Sequence, residues 1–165
     1  MRKFAVERKI LLHALRELCV TWQMAKFIYP TEEDFRIFIT SLREDDWAIK
    51  KYLPPTTKQW FRLVPECIKY VEDTSHYENL SFSKICARIL YKVAKRHELE
   101  DGNKRSAVIA VYLFCLLNDC HIDNPKVVKQ QARRVAKTKG RINETIMRDR
   151  IAIVLRTVIG GNNYN

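Results

Sequence analysis

A short polar segment, residues 97–106, carries the side chains of this chain that are best suited to chemistry. It places a histidine, carboxylates, a glycine, an amide and two cations in the order His-Glu-Leu-Glu-Asp-Gly-Asn-Lys-Arg-Ser. An uncharged run over residues 107–117 follows directly, so the segment lies where a buried helix would begin. The N-terminus of a helix presents backbone N–H groups and the positive end of its dipole, and both suit phosphate. The segment therefore predicts chemistry on a nucleotide phosphate.

The individual side chains of this segment have roles that fit such chemistry. A histidine such as His97 can take a proton near neutral pH. Asp101 can hold a divalent metal through its oxygens, and it also suits the position that caps the following helix. Gly102 lets the backbone approach a ligand closely. Lys104 and Arg105 oppose the dipole of the helix that they begin, so a bound polyphosphate is the reason we infer for them.

Other uses of histidine are less favoured by the sequence. His13, His76 and His121 are predicted to be structural, because no cluster of reactive residues surrounds them. A zinc site built on His97 and Asp101 is disfavoured, since no further histidine or cysteine lies at ligand spacing.

The segment resembles the signature of the Fic/Doc family, His-Pro-Phe-x-Asp-Gly-Asn-Gly/Lys-Arg. The identities that carry the resemblance are His97, Asp101, Gly102, Asn103, Lys104 and Arg105. Lys104 makes the segment similar to the Doc branch of the family, in which lysine replaces the second glycine of the signature. Glu98 and Leu99 stand where proline and phenylalanine are usual, and Leu99 is predicted to anchor the loop in the core. The likeness extends weakly over residues 30–160.

The resemblance implies a transferase that uses ATP and Mg²⁺. His97 would take the proton from a target hydroxyl, and Asp101 would hold the Mg²⁺. The nucleotide and its phosphates would be bound by the remaining identities, which are Gly102, Asn103, Lys104 and Arg105. The two cations are also assigned as catalytic residues, because they would stabilise charge on the transferring phosphate.

The same resemblance implies a protein substrate. Doc phosphorylates elongation factor Tu, whereas Fic enzymes transfer AMP, and Lys104 favours phosphoryl transfer here. The chain would then be the toxin of a toxin–antitoxin pair, with an antitoxin as a further partner. The alternatives are AMP transfer by the same site, or an inactive Fic-like module that binds RNA or a partner protein.

Family members bind the target strand along a flap hairpin that precedes the motif. The candidate flap is the segment 58–64, which is β-prone and lies between Pro54-Pro55 and Pro65. The residues predicted to bind the target there are Lys58, Gln59, Trp60, Phe61 and Arg62. Trp60 and Phe61 are expected to dock the target, and the alternative for both is packing in the core.

The elements that position these residues are predicted to be helices, with residues 1–28 as an N-terminal extension and residues 29–165 as a Fic/Doc-like domain. A helix is expected to begin at Thr31, with Asp34 in its cap. Further helices are expected over residues 3–19, 82–96, 103–118, 125–137 and 144–159. The helix over 103–118 is apolar all round, so it should be the central one. The predicted fold is an all-α bundle around this buried helix, with a short β-prone flap.

Composition bounds the remaining possibilities. The 165 residues, 47% of them hydrophobic, suit one soluble domain. The five cysteines show no CxxC pattern and are expected to be thiols in a reducing cytoplasm, and no uncharged run is long enough to cross a membrane. The net charge of +11 favours an anionic partner, either nucleic acid or an acidic protein. Nucleic acid is not favoured, because no aromatic residues interleave with the densest basic patch, over residues 133–141.

Overall fold

Helices dominate the computed structural model, which describes residues 27–44, 47–96, 99, 102–138 and 143–161. Within these ranges the chain forms six α-helices, a short 3-10 helix and one small two-stranded sheet, so the predicted all-α class is confirmed. The helix predicted over residues 3–19 lies outside the described residues. No helix in the described part of the chain has the length and apolar character needed to cross a membrane.

The elements follow one another along the chain with short connections. The helices are α1 (Glu32–Glu44), α2 (Lys58–Ser75), α3 (Phe82–Ala94), α4 (Asn103–Leu117), α5 (Pro125–Lys137) and α6 (Glu144–Arg156), and the 3-10 helix (Lys50–Tyr52) lies between α1 and α2. Strands β1 (Cys120–Ile122) and β2 (Ile159–Gly161) pair antiparallel, with His121 opposite Gly160. The last helix therefore ends at Arg156, earlier than predicted, because residues 159–161 pair with β1 as a strand instead of continuing the helix.

Helix α4 is the centre of the core, as its uniformly apolar sequence predicted. Ser106–Val111 and Leu113–Leu117 are all buried. Helix α3 packs along α4, and α5, β1 and the 3-10 helix also contact it. The rings of Phe82 on α3 and Phe114 on α4 stack with their centroids 5.0 Å apart. The surrounding elements thus cover α4 on several sides.

The prediction of a β-prone flap over residues 58–64 is wrong, because this segment forms the first turns of α2. Thr57 caps the helix, and its Oγ1 accepts a hydrogen bond from Trp60 N at 3.1 Å. Pro65 lies inside the helix instead of ending it. Buried residues recur at helical spacing on both sides of this proline, and they are Trp60, Leu63, Val64, Cys67, Ile68 and Val71. Burial of this stripe outweighs the hydrogen bond that proline removes.

The chain joins this core before α1 begins. Phe27 is buried, and its ring lies 5.4 Å from that of Phe82. Asn118 accepts a hydrogen bond from Ile28 N at 2.9 Å and donates one to Ile28 O at 2.8 Å. The last two residues of the predicted N-terminal extension therefore pack on the helical core, while residues 1–26 lie outside the described residues.

A reciprocal cap begins α1, as the sequence predicted. Asp34 Oδ2 accepts hydrogen bonds from Thr31 N at 2.8 Å and from Thr31 Oγ1 at 2.7 Å. Thr31 Oγ1 in turn accepts from Asp34 N at 3.2 Å. Asp34 is buried, so its carboxylate depends on these bonds for its polar contacts.

Replacing Asp34 with alanine should lower the free energy of unfolding by about 1–2 kcal/mol, because the cap is lost and the Thr31 donors lose their acceptor. Urea denaturation measures the change. Glu33→Ala is the matched control, since Glu33 is an exposed carboxylate in the same turn. Equal losses in both variants would show that the acidic charge of the first turn, and not the cap, stabilises α1.

Candidate functional site

Four of the predicted site residues lie together at the start of α4. Gly102 occupies the N-cap position, and Asn103, Lys104 and Arg105 form the first turn of the helix. The predicted base His97 and the predicted metal ligand Asp101 lie outside the described residues, so these two roles stay predictions. Leu99, between them in sequence, is buried in the core, as predicted. The prediction that Asp101 caps α4 is wrong, because the N-cap residue is Gly102.

Gly102 is required here by both conformation and space. Its φ is +94°, a left-handed backbone conformation that favours glycine. A Cβ at this position would lie 3.0 Å from Pro55 Cδ and 3.1 Å from Pro54 Cβ. The sequence predicted that Gly102 lets the backbone approach a ligand closely. In the structure, the backbone at Gly102 closely approaches the Pro54-Pro55 segment. The glycine also leaves the N-cap position of α4 without a capping side chain.

Asn103 ties the beginning of α4 to the end of α3. Its Nδ2 donates a hydrogen bond of 2.6 Å to the Arg96 carbonyl oxygen. Its Oδ1 is buried and has no hydrogen-bond partner among the described residues. A buried acceptor without a donor is destabilising, so this oxygen suits a donor from the loop of residues 97–101 or from a ligand.

The two cations of the motif differ in their surroundings. Lys104 is exposed, whereas Arg105 is half-buried. Arg105 Nη1 donates a hydrogen bond of 3.2 Å to the Leu53 carbonyl oxygen. Arg105 therefore holds the segment before α2 against the start of α4, a structural role that the sequence did not predict.

Trp60 connects α2 to the same helix start through a buried hydroxyl. Its Nε1 donates to Ser106 Oγ at 2.7 Å, and Ser106 Oγ donates to the Gly102 carbonyl oxygen at 3.0 Å. Both side chains are fully buried, and the Trp60 ring packs edge-on against Phe35 with the centroids 5.5 Å apart. The expectation that Trp60 docks the target is therefore wrong, and its alternative, packing in the core, is confirmed. A buried indole N–H needs a hydrogen-bond acceptor. The polar Ser106, directly before the apolar run in the sequence, was the feature that could have indicated this acceptor.

The other residues of the predicted flap lie on the surface of α2. Lys58, Gln59 and Arg62 are exposed, and Phe61 is half-buried beneath the Arg36 guanidinium, which lies 4.5 Å from the ring centroid. The Trp60–Ser106 bond and the contact of Pro55 with Gly102 bring the first turns of α2 and α4 together. The segment thus adjoins the motif, but as a helix instead of the predicted strand.

Other chemistries find little support in the described part of the chain. It contains no group of three or more His, Cys, Asp or Glu side chains arranged to hold a metal ion. Its cysteines, which are Cys67, Cys86, Cys115 and Cys120, are buried thiols. Burial raises the pKa of the Cys115 thiol well above its usual value, and a hydrogen bond with Cys86 raises it further. That thiol is therefore protonated at neutral pH and is not an activated nucleophile.

Comparison of the chain with protein-family models, with curated proteins and with solved structures gives no match. The likeness to the Fic/Doc family therefore rests on the motif of residues 97–105 and on the helix that follows it.

The hydrogen bond between Trp60 and Ser106 yields a test of the core assignment. Trp60→Phe should lower the free energy of unfolding by about 1–2 kcal/mol, because the ring shrinks and the Ser106 hydroxyl loses its donor. Chemical denaturation of Trp60→Phe, Ser106→Ala and the double variant forms a double-mutant cycle. We expect a coupling free energy of about 1 kcal/mol.

Strictly additive losses in this cycle would contradict a stabilising bond between the two side chains. Wild-type stability of Trp60→Phe, together with weaker binding of a target protein, would instead return Trp60 to the docking role.

Proposed function

We propose that the chain is a Fic/Doc-like transferase that moves a phosphoryl group from ATP to a hydroxyl side chain of a target protein. The observation that carries the proposal is the set of six motif identities, His97 and Asp101 to Arg105. The left-handed Gly102 and the helix start at Asn103 support it, because they place the motif at the N-terminus of a buried helix. Such a terminus attracts anions through its N–H groups and its dipole.

The charges around this helix start also fit a polyphosphate. Neither α2 nor α4 has an acidic residue in its first turn, although acidic residues stabilise that position. Exposed lysines, Lys58 and Lys104, stand there instead. The bond between Trp60 and Ser106 joins the first turns of α2 and α4, so the N-terminus of α2 lies near the start of the motif.

The proposed chemistry is an in-line displacement at phosphorus. His97 takes the proton of the target hydroxyl, the hydroxyl oxygen bonds to the γ-phosphorus, and the bond from phosphorus to the leaving ADP oxygen breaks. The backbone of Gly102 and Asn103, with the side chains of Lys104 and Arg105, stabilises negative charge on the transferring group.

Asp101 is the residue that would hold Mg²⁺ in this proposal. Carboxylate oxygens are ligands that Mg²⁺ prefers, so the residue type fits the ion that the resemblance implies. When bound, the ion neutralises charge on the phosphates. The target implied by the Doc resemblance is a translation factor such as elongation factor Tu, which would place the reaction in the cytoplasm and make an antitoxin a natural partner.

A binding module without transferase activity is the second candidate. The observation in its favour is that the fold itself uses two motif side chains, Asn103 through the Arg96 carbonyl and Arg105 through the Leu53 carbonyl. Glu98 and Leu99, which depart from the family signature, point the same way. An enzyme should bind ATP with Mg²⁺ in a calorimetric titration, whereas a pure binding module should not. AMP transfer remains the alternative chemistry at the same site.

Removal of the proposed base should abolish transfer. His97→Ala should lower the transfer rate by about 10²–10⁴-fold, the usual effect of losing a general base, without loss of fold. Transfer of label from ATP to protein in a cell lysate is the measurement, and circular dichroism checks the fold. His76→Ala is the control, because His76 is an exposed histidine beyond the motif. Unchanged activity of a folded His97→Ala protein would contradict the mechanism.

Lys104 should decide which phosphate is transferred. By resemblance to Doc, the γ-phosphate should lie nearest His97, so γ-labelled ATP should label the target and α-labelled ATP should not. Lys104→Gly should weaken phosphoryl transfer and allow some AMP transfer, because the side chain no longer fills the space at the helix start.

Lys126→Gly is the matched control for that variant, since Lys126 is an exposed lysine at the second position of α5, as Lys104 is in α4. Transfer of the α-label by the unmodified protein would show that the chain transfers AMP and that the kinase assignment is wrong.

A further inference from the structure

A groove between α5 and α6 shares no residue with the motif. Its volume is about 420 Å³. The apolar part of its lining comes from α6, and it consists of Met147, Ile151 and Val154. Ile151 is buried, whereas Met147 and Val154 are half-buried. The groove thus presents an apolar floor that the described helices leave open to solvent.

Basic side chains border this floor from both helices. The cations that line the groove are Arg134 and Lys137 on α5 and Arg150 on α6, and all three are exposed. Among the described residues, none of the three forms an ion pair with an acidic side chain. The acidic residues of α6 are engaged elsewhere, because Glu144 pairs with Arg148 at 3.4 Å and Asp149 lies 3.8 Å from Lys84.

The wider surface has the same mixed character. Helix α5 carries five cations and no acidic residue, and the cations are Lys126, Lys129, Arg133, Arg134 and Lys137. On α6, Ile146 and Ile153 are 49% and 66% exposed and lie one turn before and one turn after Arg150. Exposed isoleucines beside cations give this surface groups that can contact both apolar side chains and carboxylates.

We propose that this groove binds an acidic amphipathic helix of a partner protein. Apolar side chains on one face of such a helix would cover Met147 and Val154, while its carboxylates would meet Arg134, Lys137 and Arg150. Complementary charge would direct the partner to the groove, and the apolar floor would select an amphipathic helix over a merely acidic chain.

Other occupants fit the groove less well. Nucleic acid binds mainly through its phosphates and does not require an apolar floor, and none of the described residues that line the groove is aromatic for base stacking. A second copy of the chain would bring its own net charge of +11 to a basic surface. The segment 1–26 is itself richer in basic than in acidic residues, so the same repulsion applies to it.

The proposal is tested with the full chain and a synthetic helical peptide that has leucines on one face and glutamates on the other. Fluorescence anisotropy of the labelled peptide should show saturable binding. Arg150→Glu and Lys137→Glu should each weaken binding by about tenfold, because a carboxylate then faces the peptide's carboxylates. Arg133→Glu is the matched control, since Arg133 is an exposed cation of α5 that does not line the groove, and it should leave binding within about twofold of wild type.

A scrambled peptide of the same composition separates an amphipathic partner from simple charge attraction, and it should bind at least about tenfold more weakly than the ordered peptide. Equal binding of the two peptides, equal losses in Arg133→Glu and Arg150→Glu, or no binding at all would overturn the proposal. Tighter binding of single-stranded or duplex DNA that the same groove variants abolish would also overturn it. The assay contains no ATP, so its outcome is independent of the proposed transferase activity.

Discussion

The burial of α4 is the constraint on which the remaining structure depends. A helix with apolar side chains on every face must be covered on every face, and each large side chain that is fully buried contributes about 1.5–3 kcal/mol. Helices α3 and α5, the 3-10 helix and β1 all contact α4, while Trp60 of α2 reaches its first turns. With its sides covered, α4 has polar backbone groups near solvent only at its ends. A ligand of this helix would therefore contact its backbone groups at a terminus.

The segment before α2 gives that terminus its shape. Pro54 and Pro55 lie against Gly102, and the Leu53 carbonyl accepts a hydrogen bond from Arg105. Trp60 adds a buried bond to Ser106 one turn into α4. These contacts come from one short stretch of chain, so the position of α2 and the geometry of the motif are set together. A change that tilts α2 would also move the proposed phosphate site.

The sequence predicted the helices well where a local pattern marks them, whether a cap, a 3.6-residue period or an unbroken apolar run. The Thr31–Asp34 cap, the stripe of α3 and the all-apolar α4 are local patterns that survive in the fold. It failed over residues 58–64, where prolines and β-prone side chains suggested a strand, because long-range burial of Trp60 and its neighbours favours a helix. The bonds of Asn103 to Arg96 and of Arg105 to Leu53 could not be predicted, since each depends on where a distant backbone carbonyl lies.

The hydrogen bond from Asn103 Nδ2 to the Arg96 carbonyl oxygen joins the two ends of the intervening loop. The loop is held at both ends by this bond and in the middle by Leu99, which is buried in the core. An insertion or deletion between Arg96 and Asn103 would therefore disturb this hydrogen bond or the burial of Leu99, whereas a substitution that keeps the length can leave both in place.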